Sequence, residues 1–276
     1  MKITGLQAAL LLVLAFSFIV FYSLLVEPYN VAVTETHIDF FEGDSEPLKI
    51  VLISDTQGAY DHPEYFRNAM ELASRQEPDL MLIAGDIVDG EPRGWEKLGS
   101  LRSLRAKNGV YAVLGNHDYR DWDCTDPSIY EYADNVEMTV ESYGIEVLRN
   151  ENRTFLINGR QLAIAGIDDN WACRSDAETA LSGLGNIPKI VLVHEQEAAY
   201  KLSATCRTLV FAGHTHCGQF YFPFVTDYLT DYLGFGKIRQ GLGTLPNGME
   251  AYVTCGITPG GIRLFARPEI SVIYLE

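Results

Sequence analysis

Positive charge is what this chain has least of: 21 Lys and Arg stand against 37 Asp and Glu, a formal net charge of −16 over 276 residues. A surface of that sign excludes a protein that grips nucleic acid through basic patches, because neutralising a phosphate backbone needs clustered Lys and Arg. If the substrate carries phosphate, something other than side-chain cations must neutralise it, and bound divalent metals would do so. Closely paired cysteines are missing too. None of the five falls in a CxxC spacing, which argues against a zinc ribbon or a thioredoxin-type site. There is no internal repeat of fixed period and no low-complexity tract. The 47% hydrophobic content suits one substantial core, so a single catalytic domain is the default.

Charge is absent altogether from one long run. Gly5 to Val26, GLQAALLLVLAFSFIVFYSLLV, has none, and its length matches the ~20 helical residues that cross a hydrocarbon core. It reads as a membrane span. The alternatives are a buried core helix and a cleaved signal peptide, whose apolar region is usually only ~7–15 residues and ends in a small-residue cleavage pattern that Glu27 and Pro28 do not supply. Lys2 is the one charged side chain before the run, whereas Glu27, Glu35, Asp39, Glu42 and Asp44 follow it. The positive-inside bias therefore predicts a single-pass protein of an inner or plasma membrane, with its N-terminus in the cytoplasm and its catalytic domain extracytoplasmic. The domain plan is an anchor over 1–26, an acidic connector with short β-like character over 27–46, and a catalytic domain over 47–276. Cys124 and Cys173 lie in polar, loop-like stretches and are candidates to pair in an oxidising compartment. Cys206, Cys217 and Cys255 lie at or beside apolar runs and read as small core residues.

Beyond the connector, three apolar runs, LKIVLIS, DLMLIAG and GVYAVLG, alternate with helix-like windows near 63–75 and 95–106. That rhythm predicts βαβαβ units on a largely parallel sheet. The second half supplies short strand candidates at 144–148, 154–157 and 161–165, then IVLVH and LVFAGH, then 251–255 and 270–274. Two stacked sheets with helices outside accommodate both halves.

The polar residues cluster where the strands stop. The first run ends in Ser54-Asp55-Thr56-Gln57, the second in Gly85-Asp86-Ile87-Val88-Asp89, the third in Gly115-Asn116-His117-Asp118. Two later runs end in His194 and in Gly213-His214-Thr215-His216. In open α/β sheets the carboxyl ends of the strands lie side by side at the ligand-binding edge. Each piece alone has a plainer reading, since an Asp after a strand is often a turn former or N-cap and a single His is often a satisfied core residue. Together they differ, because four of the six histidines fall in these endings. Carboxylates gathered so closely repel one another and are most comfortable around metal ions.

The ordered set GDxxD, GNHD, a lone His and GHxH, preceded by a DxQ where DxH is usual, resembles the calcineurin-like metallophosphoesterase family over about 48–276. The single N-terminal span, the GHTHxGQ extension at Gly213 to Gln219 and the stretch GIRLFARPEI are similar to its membrane-anchored bacterial branch. The resemblance implies an α/β fold, a four-layer α/β/β/α metallophosphoesterase sandwich with one N-terminal transmembrane helix. It further implies that Asp55, Asp86 and His216 hold a first metal ion, that Asp86, Asn116, His194 and His214 hold a second, and that Asp86 bridges the two. His117 would protonate the leaving oxygen, and Asp89 would orient that imidazole. Carboxylate, amide oxygen and imidazole suit two divalent ions among Mn, Fe, Zn and Mg.

Gln57 departs from the pattern, standing where the family has His. Either its amide oxygen ligates a harder ion such as Mn or Mg, or it lies behind the ligands with water in its place. Cys217, where glycine is common, is a passive filler or a soft extra ligand. The insert between Gln219 and Gly236, FYFPFVTDYLTDYLGFG, is unusually aromatic for a loop beside such a motif. It either packs under the site or forms a lip that contacts acyl chains or the bilayer. The expected function is hydrolysis of a phosphodiester or pyrophosphate in a phosphorylated small molecule or lipid. A phosphomonoesterase and a non-catalytic metal-binding protein on the same fold are the alternatives.

Overall fold

The computed structural model describes residues 4–43, 46–57, 59–90, 95–120, 123–203 and 206–276. Lys2 and Asp44, two of the charges on which the expected membrane orientation rests, lie outside them. The chain begins with α1 (Gly5–Leu25), started by a capping box in which Thr4 Oγ1 accepts from the Gln7 amide while Gln7 Oε1 accepts from the Thr4 amide. At ~1.5 Å per residue the helix is roughly 30 Å long, the thickness of a hydrocarbon core. Its apolar residues run all the way round, and only Ser23 is buried by the rest of the chain.

Among the described residues, eleven strands then build two sheets in order, and the twelfth returns to the first. Sheet one takes β1 (Ala32–Ile38), β2 (Leu48–Ile53), β3 (Leu80–Ala84), β4 (Val110–Val113) and β5 (Glu146–Val147). Sheet two takes β6 (Glu151–Ile157), β7 (Arg160–Gly166), β8 (Lys189–Leu192), β9 (Thr208–Ala212), β10 (Gly241–Thr244) and β11 (Glu250–Val253). The last strand, β12 (Glu269–Leu275), inserts between β1 and β2, giving spatial orders β1-β12-β2-β3-β4-β5 and β10-β11-β9-β8-β7-β6. β2 through β5 run parallel, as do β7, β8, β9 and β11.

The apolar runs are unbroken because both faces of each inner strand are covered. Ile50, Leu52, Leu80 and Leu82 point into the layer between the sheets, where they meet Ile164, Ile190, Leu192 and Phe211. Val51, Ile53, Met81 and Ile83 point outward, onto α2 (Pro63–Ser74), the 3₁₀ turns of Trp95–Ser103 and α3 (Ser128–Glu141). On the far side Val191, Val193, Val210 and Ala212 are covered by α4 (Ala177–Leu181) and by Ala199 of a short 3₁₀ turn. This is the four-layer α/β/β/α arrangement.

Several expectations need correcting. The window at 95–106 is 3₁₀ rather than α-helical, and the aromatic insert carries a helix, α5 (Val225–Tyr232). The stretch expected as a connector contributes β1, paired with β12 over seven residues. Cys124 and Cys173 form a disulfide, as their loop positions suggested. Cys217 and Cys255 are not separate core residues. They are joined to each other, and they stay buried beside Ala266. Cys217 is therefore neither a filler nor a thiol ligand.

The end of α1 is docked on the body. Glu27 is buried and accepts the Ala266 amide through Oε1 at 2.6 Å, and the Arg263 amide donates to the Ser23 carbonyl at 3.0 Å. Arg263 is itself fully buried, its guanidinium donating to the carbonyls of Ala266 and Cys255.

Candidate metal centre

Parallel strands deliver their polar endings to one edge, and tight left-handed backbone turns aim the side chains. Asp55 (φ 51°), Asp86 (φ 53°), His214 (φ 69°) and His216 (φ 47°) all occupy the positive-φ region that bulky residues avoid. Such conformations persist only where the surroundings over-determine them, and they gather at functional sites. Neighbouring endings are stitched together by backbone bonds. The Asp55 amide donates to the Gly85 carbonyl, the Gln57 amide to the Asp86 carbonyl and the Gly213 amide to the His194 carbonyl.

The side chains converge in two groups that share Asp86. Ligand atoms of Asp86, His194 and His214 lie within 4.8 Å of one another, as do those of Asp55, Asp86 and His216. In the first group His194 Nδ1 sits 2.7 Å from the Ala84 carbonyl, a contact that an N–H must make, so the proton belongs on that nitrogen. Nε2 then lies 3.2 Å from Asp86 Oδ1 and 3.1 Å from His214 Nδ1. Burial opposes a second proton there, but the Asp86 carboxylate raises the ring well above its ordinary range, and it is the neutral form that would offer a lone pair to an ion. In the second, His216 Nε2 is 3.5 Å from Asp55 Oδ1 and accepts from Gln57 Nε2 at 3.1 Å. Gln57 is thus placed against His216.

A metal ion is tested by what these atoms lack. Asp55 Oδ1, Gln57 Oε1, Asn116 Oδ1, His214 Nε2 and His216 Nδ1 are buried with no hydrogen-bond partner. Orphaned buried polar atoms are costly, and, with His216 accepting at Nε2 and so protonated at Nδ1, four of the seven expected ligands still present an orphaned atom with a free lone pair, so the residues fit divalent cations of the oxygen- and imidazole-preferring kind. The electrostatics agree. Burial opposes ionisation of Asp86, but His194, with His117 and His214 beyond it, holds the carboxyl well below the usual range. Burial, reinforced by the neighbouring His194, pushes His214 well below its ordinary value, which keeps its ring neutral.

His117 stands at the rim, its backbone N–H donating to Asp86 Oδ1 at 3.0 Å. Asp89 lies half-buried at the end of the β3 loop. Three contributors were not singled out from the sequence. Asp118, the last residue of GNHD, accepts the amides of Ile87 and Val88 through Oδ1, both at 2.8 Å, and that of Gly115 through Oδ2 at 2.9 Å. It locks the β3 and β4 loops together. Burial and the charge of Asp86 push its carboxyl up to about 7 against those three donors. β7 runs out into Gly166-Ile167-Asp168-Asp169, a further strand ending of the same kind. Asp168 accepts from the Tyr119 hydroxyl at 2.7 Å and from Arg149 Nε at 3.1 Å, while Asp169 is held well above its normal range by burial and by Glu195. Trp171, in the same loop, packs its ring against His214 at 4.7 Å, and Phe235 packs beside it, 5.4 Å from His214 and 6.4 Å from Trp171.

Beside the cluster opens a cavity of about 390 Å³. His214 and His216 form its polar end, and Phe222, Val225, Leu229 and Leu233 form its apolar walls.

Residues 48–218 match the family model described as calcineurin-like phosphoesterase. The chain is 30% identical to the Caenorhabditis elegans metallophosphoesterase F40B5.2 over 84% of its own length, and it spans about half (49%) of that relative. It is 27% identical to the phosphodiesterase YaeI of Escherichia coli, covering 86% of this chain and 85% of that one. It is 30% identical to the Bos taurus transmembrane protein with metallophosphoesterase domain, over 91% of this chain and 58% of the relative.

Proposed function

Because this chain belongs to the calcineurin-like phosphoesterase family, a family of metal-dependent hydrolases, we propose that its strand-end cluster cleaves a phosphodiester or pyrophosphate bond in a lipid-linked or membrane-proximal substrate. The observation that carries the reading is the sharing of Asp86 by two sets of convergent ligand atoms. Asp55, Asp86 and His216, with Gln57 against the imidazole, would hold one ion. Asp86, Asn116, His194 and His214 would hold the other. Two divalent ions there would activate a water and stabilise charge on the phosphoryl oxygens. His117 hands a proton to the leaving oxygen, its main chain already fixed by Asp86, and Asp89 orients the ring. The preference for a diester follows the name of the E. coli relative.

The anchor reading is supported by the exposed, uncharged α1 and by the transmembrane relative, and the two disulfides support an oxidising, extracytoplasmic side. These features support a plan of anchor, linking segment and catalytic domain, and β1 joins the linking segment to sheet one.

The test is hydrolysis of an aryl phosphodiester and its monoester by the full chain, stripped of metal and resupplied with Mn, Mg, Fe or Zn. Metal-restored diester cleavage, abolished in Asp86→Ala and reduced ~10²-fold or more in His117→Ala, is the expected result. Stoichiometric metal binding without turnover of either ester would overturn it. Gln57→His tightens the first ion's binding if position 57 ligates, and leaves it unchanged if Gln57 lies behind the ligands.

A further inference from the structure

Helix α5 is inside out. The residues it buries are Thr226 and Thr230, satisfied by hydrogen bonds to the Phe220 and Thr226 carbonyls. Its apolar residues Val225, Tyr228, Leu229, Tyr232 and Leu233 recur at the spacing of one helical face and are exposed, Tyr232 at 73%. Phe224, just before the helix, is 88% exposed. A soluble domain rarely leaves so continuous an apolar stripe in water without something to cover it.

The rest of the molecule indicates what covers it. The loop leading into α5 is hydrogen-bonded to 263–266: Tyr221 donates its amide to the Leu264 carbonyl at 2.9 Å, and the Leu264 amide donates to Gln219 at 2.8 Å. One residue earlier, Arg263 is bonded to Ser23, and two residues later Ala266 is bonded to Glu27, both at the end of α1. Phe265, between those anchor points, is 68% exposed. The apolar face of α5 is therefore continuous, through two short stretches of chain, with the point where the membrane helix meets the body. The two carboxylates of α5 are paired with cations, Asp227 with Arg239 at 3.2 Å and Asp231 with Lys237 at 2.6 Å.

We infer that Phe224, Tyr228, Tyr232 and Phe265 form an interfacial face that rests in the same bilayer leaflet that α1 leaves. The occupant of the face is lipid. Tyr and Phe at this level match the aromatic belts of membrane proteins, and the attachment is apolar rather than electrostatic, since the carboxylates are paired and the chain as a whole is acidic. The mouth of the 390 Å³ cavity, walled by the other residues of the same helix, then lies at the membrane surface.

This rests on α1 spanning a bilayer, and the test separates the two ideas. The full chain is placed in phosphatidylcholine nanodiscs with or without brominated acyl chains, which quench tryptophan by contact. One tryptophan is introduced at a time, as Phe16→Trp in α1, Tyr228→Trp or Phe224→Trp on the proposed face, or Leu156→Trp on the opposite edge strand β6. The signal of the parent protein is subtracted. Tyr228→Trp and Phe224→Trp are expected to lose about half their emission with shallow bromines, at high salt as at low, while Leu156→Trp loses none. Quenching of Phe16→Trp without quenching of Tyr228→Trp or Phe224→Trp overturns this inference alone and leaves a protein partner to cover the face. Failure of Phe16→Trp as well overturns the membrane anchor. Neither outcome depends on turnover, so a catalytically silent protein decides the matter equally well.

Discussion

A methyl group added at Gly115 would sit 2.4 Å from Asp86 Oδ1 and 2.6 Å from the Asp86 amide nitrogen. The backbone of Gly115 is ordinary (φ −117°), so any L-residue could adopt it and only space forbids one. Gly115→Ala should therefore displace the Asp86 carboxylate that the two ligand groups share, lowering metal occupancy about tenfold or more and costing about 1–3 kcal/mol of stability. Metal titration and thermal unfolding check both, and an alanine variant with full occupancy would mean that the loop has slack. At this scale much of the centre was legible, because Asp55, Asp86, Asn116, His194, His214 and His216 each follow an apolar run abruptly. Asp118 and the Asp168-Asp169 pair were passed over for a physical reason. Their work is to accept amides, hydroxyls and a guanidinium from other loops, and a carboxylate that holds a loop is not distinguishable in sequence from one that caps a turn.

Among the elements, the junction at the end of α1 is the most exposed to perturbation. Replacing Glu27 by alanine leaves the Ala266 amide without its acceptor in a buried position, at a cost of about 1–3 kcal/mol. In the full chain, hydrogen exchange at Ala266 should accelerate and the unfolding temperature should fall; unchanged exchange would show that the junction is held elsewhere. The buried strands were readable as unbroken apolar runs. Helix α3 was also readable in principle, with Ile129, Tyr132, Ala133, Val136 and Val140 on its buried face, but its window follows a polar loop and was not recognised. Helix α5 could not be recognised from its core face, because that face consists of two threonines. β1 (AVTETHI) is polar through its middle and has no apolar run to announce it, and only its pairing with β12, more than 200 residues later, fixes its place.

For the molecule as a whole, two disulfides tie distant loops. Cys124–Cys173 spans a sequence separation of 49 and Cys217–Cys255 one of 38. Loop-closure entropy puts the contribution of each at about 2–4 kcal/mol, so full reduction should lower the unfolding midpoint substantially. Unfolding scans with and without reductant check this, and an unchanged midpoint would mean that the bonds do not constrain the unfolded chain. The second bond could not be foreseen from spacing. It exists because β9 and β11 are adjacent and parallel, so the segments that follow them leave the same sheet edge. The placing of β1 has a mechanical consequence. The chain passes from α1, through one 3₁₀ turn at Glu27–Tyr29, into a strand laid parallel to β12 over seven residues, from Ala32 beside Glu269 to Ile38 beside Leu275. A pull on α1 relative to the body is transmitted along that strand and loads the ladder in shear, all its bonds at once, instead of peeling them one after another. The joint between α1 and the rest of the chain is thus a seam sewn lengthwise into its first sheet.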